Sequence, residues 1–336
     1  MLAFLAKRLL SLALTIFGAS VAVFLIIHLV PGDPVSLLMK NPTPEKVAEA
    51  RARLMLDKPL PVQYLAFVRN AVFHGSFGQS LVTSRDVAAD IARTWSATAE
   101  LTIAAMLFGV LAGVALGVWM AARRGHWPDL AGNLFSLLGQ SVPIFWLGLM
   151  VVLAFSLGLG WFPAGDRLSA QADFEPVTGL LLLDGLITAR FDVFHDALAH
   201  LVLPALTLGT IPAAFIARVT RAAVVEALGQ DFIRTARAKG APESRVLLRH
   251  ALRAALGPIS TIAGLEFAYL LGGAVLTETV FGWPGLGRYI ANAIVARDYP
   301  AIQGALLALV CAVVIINLLM DLLHRLADPR FAKVAR

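Results

Sequence analysis

Side chains that could do catalytic or metal chemistry are few and scattered along this sequence. The seven histidines form no H-E-x-x-H pattern, and the single cysteine, Cys311, cannot form an intrachain disulfide. His195 and His200 lie five residues apart beside Asp192 and Asp196, a set that could bind a metal ion. The same spacing is typical of polar residues around the start of a helix at a membrane surface, which is the interpretation we favour.

The sequence also carries no motif for acyl or phosphoryl transfer. It contains no G-x-S-x-G, and no glycine is followed directly by lysine, so there is no Walker loop to hold nucleotide phosphates. Any work driven by ATP therefore requires another chain to bind the nucleotide and its Mg²⁺. We predict that this chain is not an enzyme and binds no cofactor or metal ion of its own.

Composition places the chain in a membrane. Hydrophobic residues make up 58% of it and charged residues 15%, against roughly 45–50% and 25% in soluble proteins. The net charge of +6 is dispersed around apolar segments, so topology explains it better than nucleic-acid binding does. Blocks long enough to span predict an all-α integral membrane protein with about six transmembrane helices. They are Leu9–Val30, Leu101–Ala122, Ser141–Gly160 (within the apolar block Leu130–Gly165), Ala197–Ala217, Ala254–Thr277 and Tyr299–Met320.

Basic residues in the short loops predict the orientation. Lys7 and Arg8 precede the first span, Arg123 and Arg124 follow the second, and Arg218–Arg253 carries eight basic residues against three acidic ones. Because positively charged loops stay in the cytoplasm, both termini are predicted to be cytoplasmic in a multi-pass inner-membrane protein. The segments predicted to face outward are Pro31–Ala97 and Trp161–Asp196.

The chain divides into four predicted regions. An N-terminus with the first span is followed by an external helical subdomain, a five-helix core with a cytoplasmic loop, and a cytoplasmic tail. Helix-like apolar spacing in the subdomain predicts three helices, at Pro44–Leu56, Pro59–Val72 and Ser84–Trp95. The four regions are residues 1–30, 31–97, 98–324 (with the loop at 218–257) and 325–336.

One segment of the basic loop has the pattern of a short docking helix. A helix at Asp231–Gly240 would place an anchor, Phe232, and small residues on one face, with Gly240 permitting a turn before Pro242. A basic loop lying on anionic lipid is the alternative, and spacing alone leaves both open. The residues predicted to contact a partner are Asp231, Phe232, Arg234, Thr235, Ala236, Arg237, Lys239 and Gly240.

Polar and kinking residues within the spans mark a candidate translocation path. Glu266 is the one charged residue in the fifth span, where a carboxylate facing lipid would cost a few kcal/mol. We expect it to face the helix bundle, either protonated and hydrogen-bonded to a neighbouring helix or lining a path for solutes. Ser141 and Pro143, at the predicted start of the third span, complete the candidate path.

Several motifs in a fixed order carry a family resemblance that covers nearly the whole chain. The docking segment contains Ala236-x3-Gly240, and the other motifs are Pro31-Gly32-Asp33-Pro34, His74-Gly75-Ser76-Phe77-Gly78, Ser141–Trp146, Thr277–Arg288 and Arg297–Pro300. Together they resemble the B-type permease subunits of the dipeptide, oligopeptide and nickel ABC importers, most closely dipeptide permeases. Two positions depart from the pattern: His250–Arg253 replaces a later loop element, and Glu266 stands where an uncharged amide is common.

The resemblance implies a type I ABC importer fold with a cytoplasmic coupling helix at Asp231–Gly240. It implies four kinds of partner: a homologous C-type permease subunit, two ATP-binding subunits, an external solute-binding protein and membrane lipid. The implied activity is import of dipeptides, oligopeptides or similar small solutes, with nickel chelates, glutathione or haem as alternatives. An inverted repeat and intramembrane charge pairs would indicate an ion-driven secondary transporter, and neither is visible in the sequence. A membrane enzyme would need a set of catalytic residues at membrane depth, which is also not visible.

Overall fold

The computed structural model describes residues 2–29 and 55–327, together with residues 43, 45, 48, 51 and 52. Within them the regular structure is helical, apart from one isolated β-bridge between Gln79 and Asp86. The predicted all-α fold is therefore confirmed. The Pro31–Pro34 motif and most of the predicted helix Pro44–Leu56 lie outside the described residues.

Eleven helices are named here for the described part of the chain, some of them including π-helical turns. The π turns are Val152–Gly158, which continues α5, and Val246–Ala251 within α9. The helices are α1 (Leu2–Leu29), α2 (Leu60–His74), α3 (Val87–Ala122), α4 (Trp127–Ser141), α5 (Ile144–Val151), α6 (Leu181–Ile187), α7 (Phe191–Leu228), α8 (Asp231–Ala238), α9 (Glu243–Val280), α10 (Leu286–Ala296) and α11 (Tyr299–Ala327).

Five of the described helices are long and apolar enough to span a membrane, namely α1, α3, α7, α9 and α11. The predicted third span is a bent pair instead of one straight helix. Helix α4 ends at Ser141, and the next helical segment, Ile144–Gly158, leaves it at an angle of 106°. Proline lacks an N–H and pushes the preceding residue into extended backbone, and Val142 before Pro143 has φ −75° and ψ 127°. Six spans result if the bent pair counts as one.

The predicted external helix Ser84–Trp95 is not a separate element. Helix α3 begins at Val87 and runs for 36 residues to Ala122, through the predicted second span. No proline or glycine occurs between Val87 and Phe108, so no local signal interrupts the helix. The predicted helix Pro59–Val72 is confirmed as α2, which begins at Leu60 after Pro59 and ends at His74.

The chain forms two compact units. The first contains residues Met1–Ala97 and Pro284–Ile315, and the second contains Thr98–Trp283 and Ile316–Arg336. Each unit has its own apolar core, formed by the sides of its helices that face one another. The core of the first unit is Ile27, Val87, Ile91, Leu286, Ile290, Ala293, Ala301, Ile302 and Ala305. The core of the second includes Val118, Ala121, Ile216, Val224, Ala227, Ile233, Val246, Ala251, Ala255 and Ile259.

A stripe of glycines brings α3 against α7 within the second unit. Gly109, Gly113 and Gly117 recur every four residues, so they lie on one face of α3. A Cβ atom on Gly113 would lie 2.7 Å from the carbonyl oxygen of Ala213, and one on Gly117 would lie 2.5 Å from that of Ala217. Small residues let membrane helices pack backbone to backbone, so this stripe sets the α3–α7 distance.

Gly117→Ala is expected to destabilise the subunit, because its methyl group would meet a backbone carbonyl that cannot rotate away. Overpacking of this kind costs about 1–3 kcal/mol. Gly272→Ala in α9 is the matched control, since no atom lies within 4 Å of its Cβ position. Thermal unfolding in detergent should show a lower midpoint for Gly117→Ala and an unchanged or higher one for Gly272→Ala. Equal midpoints would show that the stripe does not set the packing.

Candidate functional site

The predicted docking segment is a short helix followed by a tight turn. Helix α8 begins at Asp231 and ends at Ala238, and the break before Pro242 falls where the sequence predicted it. Gly240 has φ +75°, a left-handed conformation that suits glycine, and Ala241 N donates to Ala236 O at 3.2 Å. Local sequence signals therefore fix both ends of α8.

One fully buried side chain anchors α8 in its own subunit. Ile233 is fully buried in the core of the second unit, among residues of α7 and α9 that include Val224 and Val246. Ala236, one turn later, is half-buried and packs against the same core. The inner face of α8 is therefore packed against α7 and α9.

The outer face of α8 is open. Phe232 is 45% exposed, and Thr235, Lys239 and Gly240 are exposed as well. The predicted docking face consists of Phe232, Thr235, Ala236 and Lys239, and Ala236 is the one of these four that turns partly inward. The exposed aromatic ring of Phe232 is the largest apolar group available to a partner on this helix.

Two cations of the docking segment are already paired inside the chain. Arg234 Nη1 lies 3.3 Å from Asp231 Oδ1, and both side chains are largely exposed. Arg237 donates to both carboxylate oxygens of Glu243, at 3.1 and 2.5 Å, and this hydrogen bonding raises the pKa of Arg237. The Arg237–Glu243 pair links α8 to the start of α9, and both pairs leave less charge for a partner to recognise.

Unpaired positive charge lies beside α8 instead. Phe232 and four residues of α9 line an open cavity of about 460 Å³, and three of the four are Arg249, His250 and Arg253. In the described part of the chain none of these three has an ion-pair or hydrogen-bonding side-chain partner. From the sequence, Arg249 and Arg253 served as topology signals, and Arg253 also belonged to the departure at His250–Arg253. Their i, i+4 spacing places them on one helix face.

The candidate path residues fall in two places. Ser141 and Pro143 flank the 106° bend between α4 and α5, and both are exposed. Ser141 Oγ donates to Leu137 O at 2.8 Å, so it is satisfied within its own helix. The bend therefore presents the apolar start of α5 and irregular backbone, which membrane proteins tolerate where it lines a cavity or is covered by protein.

Glu266 lies in the middle of α9 and is 8% exposed. Its Oε2 atom is buried and has no hydrogen-bond partner among the described residues. Two residues earlier, a Cβ on Gly264 would lie 2.7 Å from Met320 Cε, so α9 and α11 pack closely there. A buried carboxyl oxygen without a partner is costly, so Glu266 is a polar group of this span that packing among the described residues leaves unsatisfied.

The two histidines His195 and His200 lie in the first turns of α7, as polar residues of that helix. His200 is buried, and its Nδ1 lies 2.8 Å from the backbone oxygen of Asp196 and 3.3 Å from its carboxylate. Among the described residues, no group of three or more His, Cys, Asp or Glu side chains could hold a metal ion.

Long apolar helices, a bent span and a helix-and-turn on a basic loop define the class of a membrane permease subunit. The family "Binding-protein-dependent transport system inner membrane component" matches residues 113–333. Its N-terminal companion, "Binding-prot-dependent transport system membrane comp, N-term", matches residues 1–102. The chain belongs to this family of ABC importer permeases, which work with ATPase and binding-protein partners, and it is a B-type permease subunit embedded in the membrane.

Relatives match it from end to end. It is 47% identical to the di/tripeptide transport system permease protein DppB of Pseudomonas aeruginosa, over 98% of each chain. It is 43% identical to the dipeptide transport system permease protein DppB of Alkalihalophilus pseudofirmus, over 98% of this chain and 99% of that one. It is 40% identical to the glutathione transport system permease protein GsiC of Escherichia coli, over 98% of each.

A solved structure supports the fold. A chain of the inward-facing MetNI methionine ABC transporter matches with a TM-score of 0.52 and 19% sequence identity. The match covers 70% of this chain and 94% of that one. The importer permease fold implied by the sequence resemblance is therefore confirmed.

Proposed function

We propose that this chain imports dipeptides and short oligopeptides into the cytoplasm as one of two permease subunits. The observation that carries the proposal is its 47% identity, over 98% of each chain, to a di/tripeptide permease. The other members of the importer are a homologous C-type permease, two ATP-binding subunits that hold ATP and Mg²⁺, and an external solute-binding protein. The chain itself catalyses no reaction and binds no cofactor.

In this proposal α8 couples ATP hydrolysis to transport. ATP closes the ATPase dimer, and the exposed face of α8, from Phe232 to Gly240, moves with it. Because Ile233 anchors α8 in the core, the motion passes to α7 and α9 and switches the spans between inward-open and outward-open states. ATP on the ATPase subunits and the transported solute, bound at separate sites, then bias one equilibrium between the inward-open and outward-open states.

The unpaired charges beside α8 extend the docking surface. Arg249 and Arg253 border the same open cavity as Phe232, so a partner that covers the ring also meets two guanidinium groups. Arginine pairs best with carboxylates in bidentate geometry. An acidic side chain of the ATPase subunit is therefore the group that suits this position.

Uptake by whole cells tests the proposed substrate. In cells that lack other peptide importers, the complete importer is expected to restore uptake of radiolabelled dialanine, and a deletion of this chain alone should abolish it. Glutathione is the second candidate, because a relative 40% identical over 98% of each chain is a glutathione permease. Uptake of glutathione without uptake of dialanine would replace the first proposal with the second.

The proposed topology places both termini, Arg123–Arg124 and the loop 218–253 in the cytoplasm of an inner-membrane protein. Residues 55–97 and the segment Trp161–Asp196 face outward. Single cysteines placed at Arg237 and at Asp173, in a chain with Cys311→Ala, should react differently with a membrane-impermeant maleimide in intact cells. We expect labelling at position 173 only, and labelling at position 237 would reverse the orientation.

A further inference from the structure

A cavity of about 180 Å³ lies within the first unit, bordered by α1, α2 and the start of α11. Its apolar walls are largely aromatic. They include Phe24 from α1, Phe67 from α2, Phe77 from the loop after α2, and Tyr299 from α11. In the proposed topology this cavity lies on the outward side, at the end of α1 opposite the basic N-terminus. The coupling site and Glu266 both belong to the other unit.

One nearly buried amide side chain at this cavity, that of Gln303, has no hydrogen-bonding partner among the described residues. Gln303 is only 9% exposed and lines the cavity, yet its amide forms no hydrogen bond within the described chain. The side chain of Asn70, which also lines the cavity, is exposed, so water can satisfy it although it has no partner among the described residues. Buried polar groups are normally paired, so an amide nine-tenths buried at a cavity points to a ligand or water inside it.

A third amide in the same wall, that of Gln63, is hydrogen-bonded within the chain. Gln63 Nε2 donates to Lys58 O at 2.8 Å, and Gln63 Oε1 lies 3.0 Å from His28 Nε2. The other ring nitrogen of His28 lies 2.7 Å from Phe24 O, and its ring packs 4.2 Å from that of Phe24. This side of the cavity is fixed by its own contacts, whereas the nearly buried amide of Gln303 has no such partner in the described part of the chain.

The lining selects a ligand by its chemistry. None of the described lining residues is Asp, Glu, Lys or Arg, so the part of a ligand inside the cavity is recognised without a charged partner. A carboxamide offers both a donor and an acceptor, which matches the N–H and C=O of another amide. A cavity of about 150 Å³ holds one benzene ring. At about 180 Å³ this one has room for a peptide unit with a small side chain.

We propose that this cavity is an outward-facing binding site for an uncharged peptide unit, with Gln303 and Asn70 as its hydrogen-bonding groups. The aromatic walls would shield the Gln303 amide from water and contact the side chain next to the bound peptide unit. The inference rests on the proposed function, because the peptide is taken to be the transported solute. A backbone segment of the solute-binding protein has the same chemistry and is the competing source.

Variants of α2 and α11 provide the test. Ala66→Phe fills the cavity, because Ala66 is part of its lining. Leu65→Phe is the matched control, since Leu65 is exposed on another face of α2 and does not line the cavity. Gln303→Leu removes the amide and keeps a similar volume. Thermal unfolding of each assembled importer identifies any variant that fails to fold.

The probe is a dipeptide of alanine and photo-leucine, whose diazirine group crosslinks on illumination. The complete importer in nanodiscs is labelled with and without its solute-binding protein, and crosslinked residues are found by mass spectrometry. We expect labelling on α2 and at residues 299–303, displaced by excess dialanine. Labelling should fall about tenfold in Gln303→Leu, the size expected for a lost buried hydrogen bond. It should fall about as much in Ala66→Phe, which fills the cavity, and stay unchanged in Leu65→Phe.

The outcomes separate the cavity from the proposed function. Dialanine uptake without labelling of the wild-type cavity would overturn the cavity proposal and leave the function standing. Displaceable labelling of the cavity without dialanine uptake would overturn the function and keep the site. If the solute-binding protein crosslinks to the cavity and dialanine does not displace it, the transported peptide is not the occupant and the proposal fails. Equal labelling in Ala66→Phe and Leu65→Phe would also overturn it.

Discussion

Gly240→Trp is expected to abolish ATP-driven uptake while the subunit remains folded and assembled. The Cβ position of Gly240 has no atom within 4 Å, so an indole there projects away from the subunit. A left-handed backbone at φ +75° costs a side chain about 1–2 kcal/mol, which a subunit anchored elsewhere can absorb. The same bulk would stand between α8 and the ATPase surface. Uptake into proteoliposomes should fall by at least about tenfold, because a displaced interface of this kind loses more than 1.4 kcal/mol.

Gly240→Ala is the matched control for backbone strain. It imposes the same left-handed cost but adds only a methyl group, so it should retain most of the uptake. Solute-stimulated ATP hydrolysis is measured in parallel, since loss of coupling removes the stimulation and leaves basal hydrolysis by the ATPase subunits. Arg249→Glu tests the neighbouring cavity in the same assay. If Gly240→Trp transports and hydrolyses normally, α8 is not the coupling element.

Local signals explain why the helix and turn of the predicted docking segment could be read from sequence. The helix at Asp231 ends where glycine permits a left-handed turn, and Pro242 sets the next start. Long apolar runs likewise predicted α1, α7, α9 and α11, because a span requires about 20 such residues whatever its neighbours are. These features depend on nearby residues, so no tertiary information was needed.

Features that depend on distant residues were not predictable. Arg221, one of the basic residues of the loop, pairs with Asp129, 92 residues away, through bonds of 2.5 and 2.7 Å. The anchoring role of Ile233 depends on α7 and α9 closing over it, and nothing in its own segment distinguishes it from Phe232. The glycines of α3 repeat every four residues in the sequence, but their role in close packing depends on the carbonyl groups of α7, which are about 100 residues away. A bend of 106° at Pro143 exceeds an ordinary proline kink.

Glu266→Gln is expected to lower uptake of peptides with a free amino terminus more than uptake of peptides whose amino terminus is acetylated. The carboxyl group is almost buried, and one of its oxygens has no partner in the described chain. A peptide's ammonium group could supply the missing partner. A hydrogen bond to a charged group is worth about 1.5–3 kcal/mol, so uptake of the free peptide should fall about tenfold or more.

Glu278→Gln is the matched control on the same helix. Glu278 is fully buried but accepts a hydrogen bond of 2.6 Å from Thr98 Oγ1, so its carboxylate already has a partner inside the subunit. Its substitution should change stability and affect both peptides alike. Both glutamine variants should insert and assemble, since an amide has nearly the shape of a carboxylate. The Michaelis constants for dialanine and acetyl-dialanine decide the role of Glu266: a selective rise for dialanine places it on the path. Equal changes would assign it to helix packing, because a residue that only joins α9 to its neighbours has no means of sensing the charge of the solute.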